Sequence, residues 1–332
     1  MAALSALYPT LLDVTNATDP DGSIATLAEI LNLTNEILDD AVFIEGNLPT
    51  GHKTSVRTGI PRGTWRKLYG GVQPGKSTRT SITDTCGMLE AYAEIDKALA
   101  DLNGNAAAFR LQEDKSYIEG LSQDAAETMF RGNEYIDSEK FTGFNARFNS
   151  LAAANAENII DAGGTGTDNA SIWLIGWGAD TIHCIYPKGS KAGLHMEDKG
   201  QVTAENIDGA NGRAEIYRSH YRWDLGLTVR DWRYAVRIAN IDRSNLTWDA
   251  ATGANLPNLL FEATERVPSL QGAKFSFYMD RSIRTKLRQQ TAALVKNSTL
   301  TTDMVGGKRV VSYDEIPVRR VDALKIDEAR VV

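Results

Sequence analysis

Apolar residues recur at helical spacing in four parts of the chain. Ser23 can cap a helix that continues to about Asp40, with an apolar stripe of Leu27, Ile30, Leu31, Ile37 and Leu38. The longest helix is predicted over residues 114–130, where Ile118, Leu121, Ala125 and Met129 share one face and Gly132-Asn133 supplies a stop. Two more helices are predicted, one from Pro257 to about Arg266 and one over residues 281–294.

Alternating apolar and polar positions predict strands between and after these helices. Residues 89–96 alternate strictly, which is typical of a half-buried strand. Further strands are predicted at residues 42–44, 172–175, 181–186, 214–221, 227–229, 234–238, 275–278, 310–311 and 316–318. The segment His195-Met196-Glu197-Asp198 lies among glycines and lysines and is predicted to be a solvated turn. Helices that are segregated from antiparallel strands indicate an α+β protein, and 332 residues favour two lobes.

One stretch of the chain has an unusual charge pattern. Residues 46–83 contain no Asp or Glu, and they carry seven basic residues: Lys53, Arg57, Arg62, Arg66, Lys67, Lys76 and Arg79. Its β-branched residues predict two strand-like limbs around a turn at Gly70–Gly75. The seven are part of 36 basic residues set against 43 acidic ones, so the rest of the chain carries −14. A body this acidic would repel nucleic acid in bulk, so the basic stretch is better matched to an acidic protein surface.

Other features of the composition limit the possible location of the protein. No run of 18 apolar residues is present, which excludes a predicted membrane helix. The first residues lack the basic and apolar regions of a signal peptide. Two cysteines, Cys86 and Cys184, do not make a disulfide framework and suit the reducing cytosol.

The basic stretch also contains a match to a nucleotide-binding motif. Residues 70–77 read Gly-Gly-Val-Gln-Pro-Gly-Lys-Ser, the pattern of a P-loop, which offers a nucleotide hydrolase using Lys76 and Ser77 as an alternative. A P-loop needs a buried strand before it and a helix directly after it. Here Arg66 and Lys67 interrupt the preceding segment, and β-branched residues follow. A Gly/Pro turn is therefore the favoured interpretation.

The remaining candidates for chemistry are weak. The four histidines form no H-x-x-x-H pair and join no C-x-x-C motif, so no metal site is predicted. His183 and Cys184 are neighbours on a predicted strand and point to opposite faces. The region 218–237 interleaves arginines with aromatic residues, which leaves a nucleic-acid-binding module as a second alternative. No catalytic residue and no cofactor-binding residue is predicted.

Several segments resemble a major capsid protein family of short-tailed bacteriophages. They are residues 86–105 (CGMLEAYAEIDKALADLNGN), 46–52, 65–71, 186–193 and 229–234. The resemblance implies the Hong Kong 97-type capsid fold. The regions it implies are an N-terminal arm and first helix (1–40), an extended E-loop with flanking strands (41–95), a peripheral domain with a spine helix at about 114–131 (96–164), an axial domain with inserted β structure (165–310) and returning C-terminal strands (311–332).

The resemblance also implies a structural function. The chain would assemble into pentamers and hexamers of an icosahedral head around double-stranded DNA, without catalytic residues, cofactors or metals. Its expected partners are other copies, scaffolding, portal and cement or decoration proteins, and DNA contacted non-specifically, with no membrane. It would reside in the virion after assembly in the bacterial cytoplasm. Basic residues are concentrated in the loop, whereas the rest of the chain is acidic. This separation of charge adds a specific hypothesis: the seven basic residues of the loop meet Glu119, Asp124 and Glu127 on a neighbour's long helix.

Overall fold

The computed structural model describes residues 35–102, 106–205, 212–293, 300–305, 308–324 and 327–332. The helices are α1 Ile37–Asp40, α2 Lys97–Asp101, α3 Ala106–Arg131, α4 Phe144–Arg147, α5 Leu256–Glu265 and α6 Arg281–Ala293. The strands are β1 Phe43–Glu45, β2 Gly51–Gly59, β3 Thr78–Asp96, β4 Ile159–Asp161, β5 Asn169–Trp177, β6 Ile182–Tyr186, β7 Leu194–Glu205, β8 Arg213–Val229, β9 Ala235–Asp242, β10 Lys274–Met279, β11 Leu300–Val305, β12 Lys308–Tyr313 and β13 Ile316–Arg320. The arm predicted at residues 1–22 and the helix from Ser23 to residue 34 lie outside the described residues.

The chain divides into two compact units, and the larger comprises residues 34–87, 126–192 and 225–332. Its central strand β5 is buried along its whole length, because Ala170 to Trp177 is an almost continuous apolar run. Strands β9 and β10 pair with β5 on its two sides, both antiparallel, and β10 also pairs with β13 in parallel.

Both faces of that sheet are covered. On one face, Ile172, Leu174 and Phe277 pack with Leu260 of α5 and Leu287 of α6. On the other, the ring of Trp173 has the rings of Phe144, Phe148 and Phe130 at 5.5, 5.7 and 6.3 Å. This face of the sheet is therefore packed by large aromatic rings.

The smaller unit comprises residues 1–33, 88–125 and 193–224, of which the structure describes 88–102, 106–125, 193–205 and 212–224. Ala93 of β3, Leu121 of α3 and Tyr221 of β8 form a buried cluster. The opposite face of the sheet is polar: Arg218 Nε donates to Glu94 Oε1 at 2.6 Å, and the His220 ring stacks on Tyr92 at 4.4 Å. The strict alternation of residues 89–96 thus separates a packed face from a polar one, as predicted.

Three local predictions are corrected by the structure. Residues 195–198 are not a turn but belong to β7, which pairs with β8 in the register His195↔Arg222 and Asp198↔Ser219. The long helix begins at Ala106 rather than at residue 114, because Ala106-Ala107-Ala108 favours helix and Phe109 is buried. Residues 214–221 and 227–229 form one strand, β8, instead of two.

Candidate functional site

The acid-free stretch forms an extended hairpin. Strand β2 pairs antiparallel with β3 from Gly51↔Thr85 to Gly59↔Thr78, and residues 60–77 between them contain no strand. Strand-like limbs are therefore confirmed at residues 51–59 and from residue 78 onward, whereas residues 60–69 are not a strand and the turn lies at residues 67–70. Gly70 N–H donates to Lys67 O at 3.0 Å, and Tyr69 has a positive φ of 61°. None of Gly70, Gly71 and Gly75 has a positive φ, so a tyrosine, and not the predicted glycines, makes the left-handed bend.

The root of the hairpin is anchored by polar contacts. Asp84 is buried, and its Oδ1 accepts a hydrogen bond from Arg147 Nη2 at 2.8 Å. Thr85 Oγ1 donates to Glu134 Oε2 at 2.6 Å, and the Asn47 side chain bonds both the N–H and the carbonyl of Lys53 at 2.7 Å. These contacts fix the direction in which the hairpin leaves the larger unit.

The tip of the hairpin is apolar as well as basic. Trp65 and Tyr69 are fully exposed, and Leu68 and Ile60 are 85% and 77% exposed. Soluble monomers rarely expose several large apolar groups in one short segment, which makes the tip a candidate contact surface. All four residues lie in the acid-free stretch, where the sequence-based prediction rests on the charged residues alone.

All seven basic residues of the hairpin are exposed. Within the described residues none of the seven takes part in an ion pair, and Arg57 and Arg79 lie directly opposite each other across the two strands. Like charges at directly opposed positions destabilise a strand pair. The hairpin therefore carries a positive charge that its own subunit does not compensate.

The three acidic residues assigned to the long helix are placed on α3. Asp124 and Glu127 are exposed, and Glu119 is half-buried. Glu127 is 3.4 Å from Arg131 Nη1, and Glu119 Oε1 accepts a hydrogen bond from Gln123 Nε2 at 2.8 Å. Glu119 and Glu127 lie on one face of the helix with Gln123 between them, and Arg131 partly neutralises Glu127.

The P-loop alternative is not supported. Lys76 and Ser77 are followed by strand β3, which begins at Thr78, and no helix N-terminus lies after the glycines. Without those oriented N–H groups the segment has no means of holding phosphates.

The nucleic-acid alternative is not supported either. Each arginine of the 218–237 region has a carboxylate partner in the chain: Arg218–Glu94, Arg222–Asp224, Arg230–Asp180, Arg233–Asp231 and Arg237–Glu328. Tyr221 and Trp223 are buried and offer no stacking platform.

One histidine and one cysteine of strand β6 are core residues. His183 and Cys184 are both buried, and burial raises the pKa of the Cys184 thiol, which keeps it protonated. In the part of the chain that the structure describes, no three His, Cys, Asp or Glu side chains are grouped to hold a metal ion. Nor is any described helix long and apolar enough to cross a membrane.

Comparisons with known proteins assign the family. The family model of the major capsid protein GP7 matches residues 19–332. The solved capsid structure of bacteriophage Epsilon15 is 37% identical with a TM-score of 0.79, covering 100% of this chain and 99% of that one. The capsid protein of bacteriophage JBD30 shares 10% identity and a TM-score of 0.50, over 90% of this chain and 95% of that one, which shows a shared fold.

A comparison with curated proteins finds no match. The mixed α+β architecture is that of the Hong Kong 97-type capsid proteins, and the expectation from the sequence is confirmed. The chain therefore belongs to the family of GP7 major capsid proteins, whose role is structural.

Proposed function

We propose that this chain forms the pentamers and hexamers of an icosahedral phage head that encloses double-stranded DNA. In this role it has no catalytic activity, it assembles in the host cytoplasm, and scaffolding, portal and cement or decoration proteins complete the particle. Residues 41–95 serve as the E-loop and α3 as the spine helix, with an N-terminal arm (1–40), a peripheral domain (96–164), an axial domain (165–310) and returning strands (311–332). The family match and the likeness to the Epsilon15 capsid support the proposal.

The proposed contact is supported by the positive charge of the hairpin, which no ion pair among the described residues compensates. Lys53, Arg57, Arg62, Arg66, Lys67, Lys76 and Arg79 lie on its surface without an ion-pair partner among the described residues, beside an exposed apolar tip. An isolated two-stranded ribbon is marginally stable in water, and a neighbouring subunit can supply both an apolar surface and negative charge. The neighbour's Glu119, Asp124 and Glu127 provide that charge.

Each exposed ion pair between subunits contributes little to the free energy of association. An exposed pair stabilises by about 0–1 kcal/mol, so the contact sets register and orientation rather than the bulk of the affinity. The apolar tip residues Trp65, Leu68 and Tyr69 contribute through burial, at about 25 cal/mol for each Å² removed from water.

A charge-reversal experiment tests the contact. Arg66→Glu with Lys67→Glu should prevent shell formation, as seen by negative-stain microscopy and sedimentation, while leaving the thermal unfolding of the soluble subunit unchanged. Adding Asp124→Lys and Glu127→Lys should restore assembly. Lys188→Glu, a reversal at an exposed residue outside the hairpin, is the matched control. Normal shells from the first variant would contradict the contact.

A cysteine pair locates the partner directly. In a Cys86→Ala, Cys184→Ala background, Lys67→Cys with Asp124→Cys should form disulfide-linked oligomers after assembly and remain monomeric before it. Lys67→Cys with Asp180→Cys, which adds an exposed residue away from α3, should not crosslink.

A further inference from the structure

One end of strand β13 carries more basic groups than the carboxylates that the described residues place beside it. Arg319 and Arg320 of β13 meet Lys274, Arg281, Arg284 and Arg288, and the carboxylates around these six cations are Glu36, Asp40, Asp280 and Asp322. The cluster therefore has two cations more than anions.

Three of the carboxylates in this cluster already accept hydrogen bonds from groups other than Arg284 and Arg288. Asp322 accepts hydrogen bonds from Arg281 (Nε 3.1 Å, Nη2 2.7 Å) and from Arg320 (Nε 2.9 Å, Nη2 2.7 Å). Asp40 is 2.7 Å from Lys274 Nζ and 3.0 Å from Arg319 Nε. Asp280 accepts from the backbone N–H and the hydroxyl of Ser282 at the start of α6.

The surplus positive charge rests on Arg284 and Arg288. They lie four residues apart on one face of α6, and neither forms an ion pair with a carboxylate among the described residues. The Nε of Arg284 is buried without a hydrogen-bond partner. Burial lowers the pKa of Arg284, and Arg288, Arg320 and Arg319 lower it further, with Glu36 acting in the opposite direction. A buried guanidinium N–H without an acceptor is costly. Arg284 is half-buried and Arg288 is exposed, so an anion from outside the subunit can pair with the accessible parts of their guanidinium groups.

The other end of the same strand carries the opposite charge. Asp314 and Glu315 form the two-residue turn between β12 and β13, with Tyr313 paired to Ile316. Both are exposed, both have positive φ values (49° and 67°), and within the described residues neither carboxylate is bonded or paired. Residues 316–318 of the strand separate this turn from Arg319, the nearest cation of the cluster along the chain, which is about 13 Å at 3.3 Å per residue.

We propose that the Asp314–Glu315 turn of one copy binds the Arg284–Arg288 face of a second copy. One patch is acidic and the other is basic, and they lie at opposite ends of strand β13. Each copy can therefore offer its acidic patch to one neighbour and its basic patch to another, which is a head-to-tail contact. A head-to-tail contact whose rotation closes produces a ring. This inference rests on the proposed self-assembly into pentamers and hexamers, and it adds the residues that join adjacent copies.

Charge exchange tests the contact. Arg284→Glu with Arg288→Glu should raise the critical concentration for assembly at least about tenfold in sedimentation velocity, and Asp314→Lys with Glu315→Lys should do the same. The four changes together should return it to within about threefold of the wild type. Because Arg284 is half-buried, the exposed pair Arg288→Glu and Glu315→Lys is tested separately and in combination. Lys286→Glu, the same change on the same helix but another face, should have little effect.

The outcomes separate this contact from the function it rests on. A wild-type chain that never assembles would contradict the proposed function and the contact with it. Wild-type shells together with normal assembly of both reversed variants would overturn the contact alone, as would a combined variant that is not restored. An effect of Lys286→Glu equal to that of Arg288→Glu would also overturn it. So would loss of duplex DNA binding by Arg284→Glu with Arg288→Glu without a change in assembly.

Discussion

Arg57 and Arg79 face each other directly across strands β2 and β3, so two guanidinium groups oppose one another near the end of the strand pairing that is closest to the hairpin tip. In an isolated ribbon this arrangement is unfavourable. It is compatible with a hairpin whose stability comes from an acidic partner, because a carboxylate between the two strands would be shared by both arginines. The relationship gives a prediction in which the stability of the hairpin and the assembly of the protein change in opposite directions.

Arg57→Glu should stabilise the hairpin of the soluble subunit and weaken assembly. The new carboxylate pairs with Arg79 and contributes about 0.2–1 kcal/mol, and it removes one of the charges proposed to meet the neighbour. Hydrogen exchange of residues 51–59 and 78–87 should slow while the critical concentration rises. Ser55→Glu, which adds an acid on the same exposed face opposite Ser81, is the control; the prediction fails if both variants slow exchange equally.

Arg237→Leu should destabilise the subunit strongly. Arg237 and Glu328 are 4% and 8% exposed and 2.8 Å apart, and Arg237 also donates to Phe148 O at 2.6 Å. Removing the guanidinium leaves a buried carboxylate without its cation, which costs about 3–5 kcal/mol. Urea unfolding of the soluble subunit measures this. Arg233→Leu, which breaks the more exposed pair with Asp231, should cost no more than about 1 kcal/mol, and equal losses would contradict the argument.

Subunit stability should fall as the pH drops below about 6.5. The rings of His52 and His183 meet edge to face at 5.7 Å, and burial lowers the pKa of both. Arg230 lowers both values further, while Asp84 raises them. The folded state then binds fewer protons than the unfolded state below pH 6.5, so the stability present above that pH is lost as the pH falls through the folded values.

The dependence of the unfolding free energy on pH and the residue that causes it can be measured in one set of experiments. His183 contributes at most about 1.4 kcal/mol per pH unit, and the half-exposed His52 less. Urea unfolding between pH 7.5 and 5 should show the loss, and His183→Gln should reduce it. His195→Gln serves as the control, and an unchanged slope in His183→Gln would exclude the histidine pair as its source.

Gly120→Ala should stabilise the long helix. Gly120 lies in the interior of α3, is exposed, and a Cβ built there meets nothing within 4 Å. Alanine is favoured over glycine in a helix interior by about 0.5–1 kcal/mol. Thermal unfolding should therefore shift upward. Gly132→Ala is the opposite case, because its Cβ would lie 2.2 Å from the carbonyl oxygen of Phe141, and it should destabilise.

Local sequence patterns determined much of the secondary structure. The apolar stripe of α3 and the alternation of residues 89–96 specify a helix face and a strand face through neighbours only a few positions away. The buried run of β5 and the acid-free composition of the hairpin were readable for the same reason. The family resemblance, carried by residues such as 86–105, extended these local inferences to the capsid fold.

The tertiary structure decided which charged residues are paired and which segments form strands. Arg218 pairs with Glu94, 124 positions away, and Arg237 with Glu328, 91 positions away, so no local pattern could show that these arginines are neutralised. The segment 195–198 looks like a turn until β8 supplies the backbone hydrogen bonds that make it a strand. The opposition of Arg57 and Arg79 depends on the strand register, and the unshared charge of Arg284 depends on which carboxylates reach it. Periodicity is a property of adjacent residues, whereas compensation of charge and pairing of strands are properties of residues that only folding brings together.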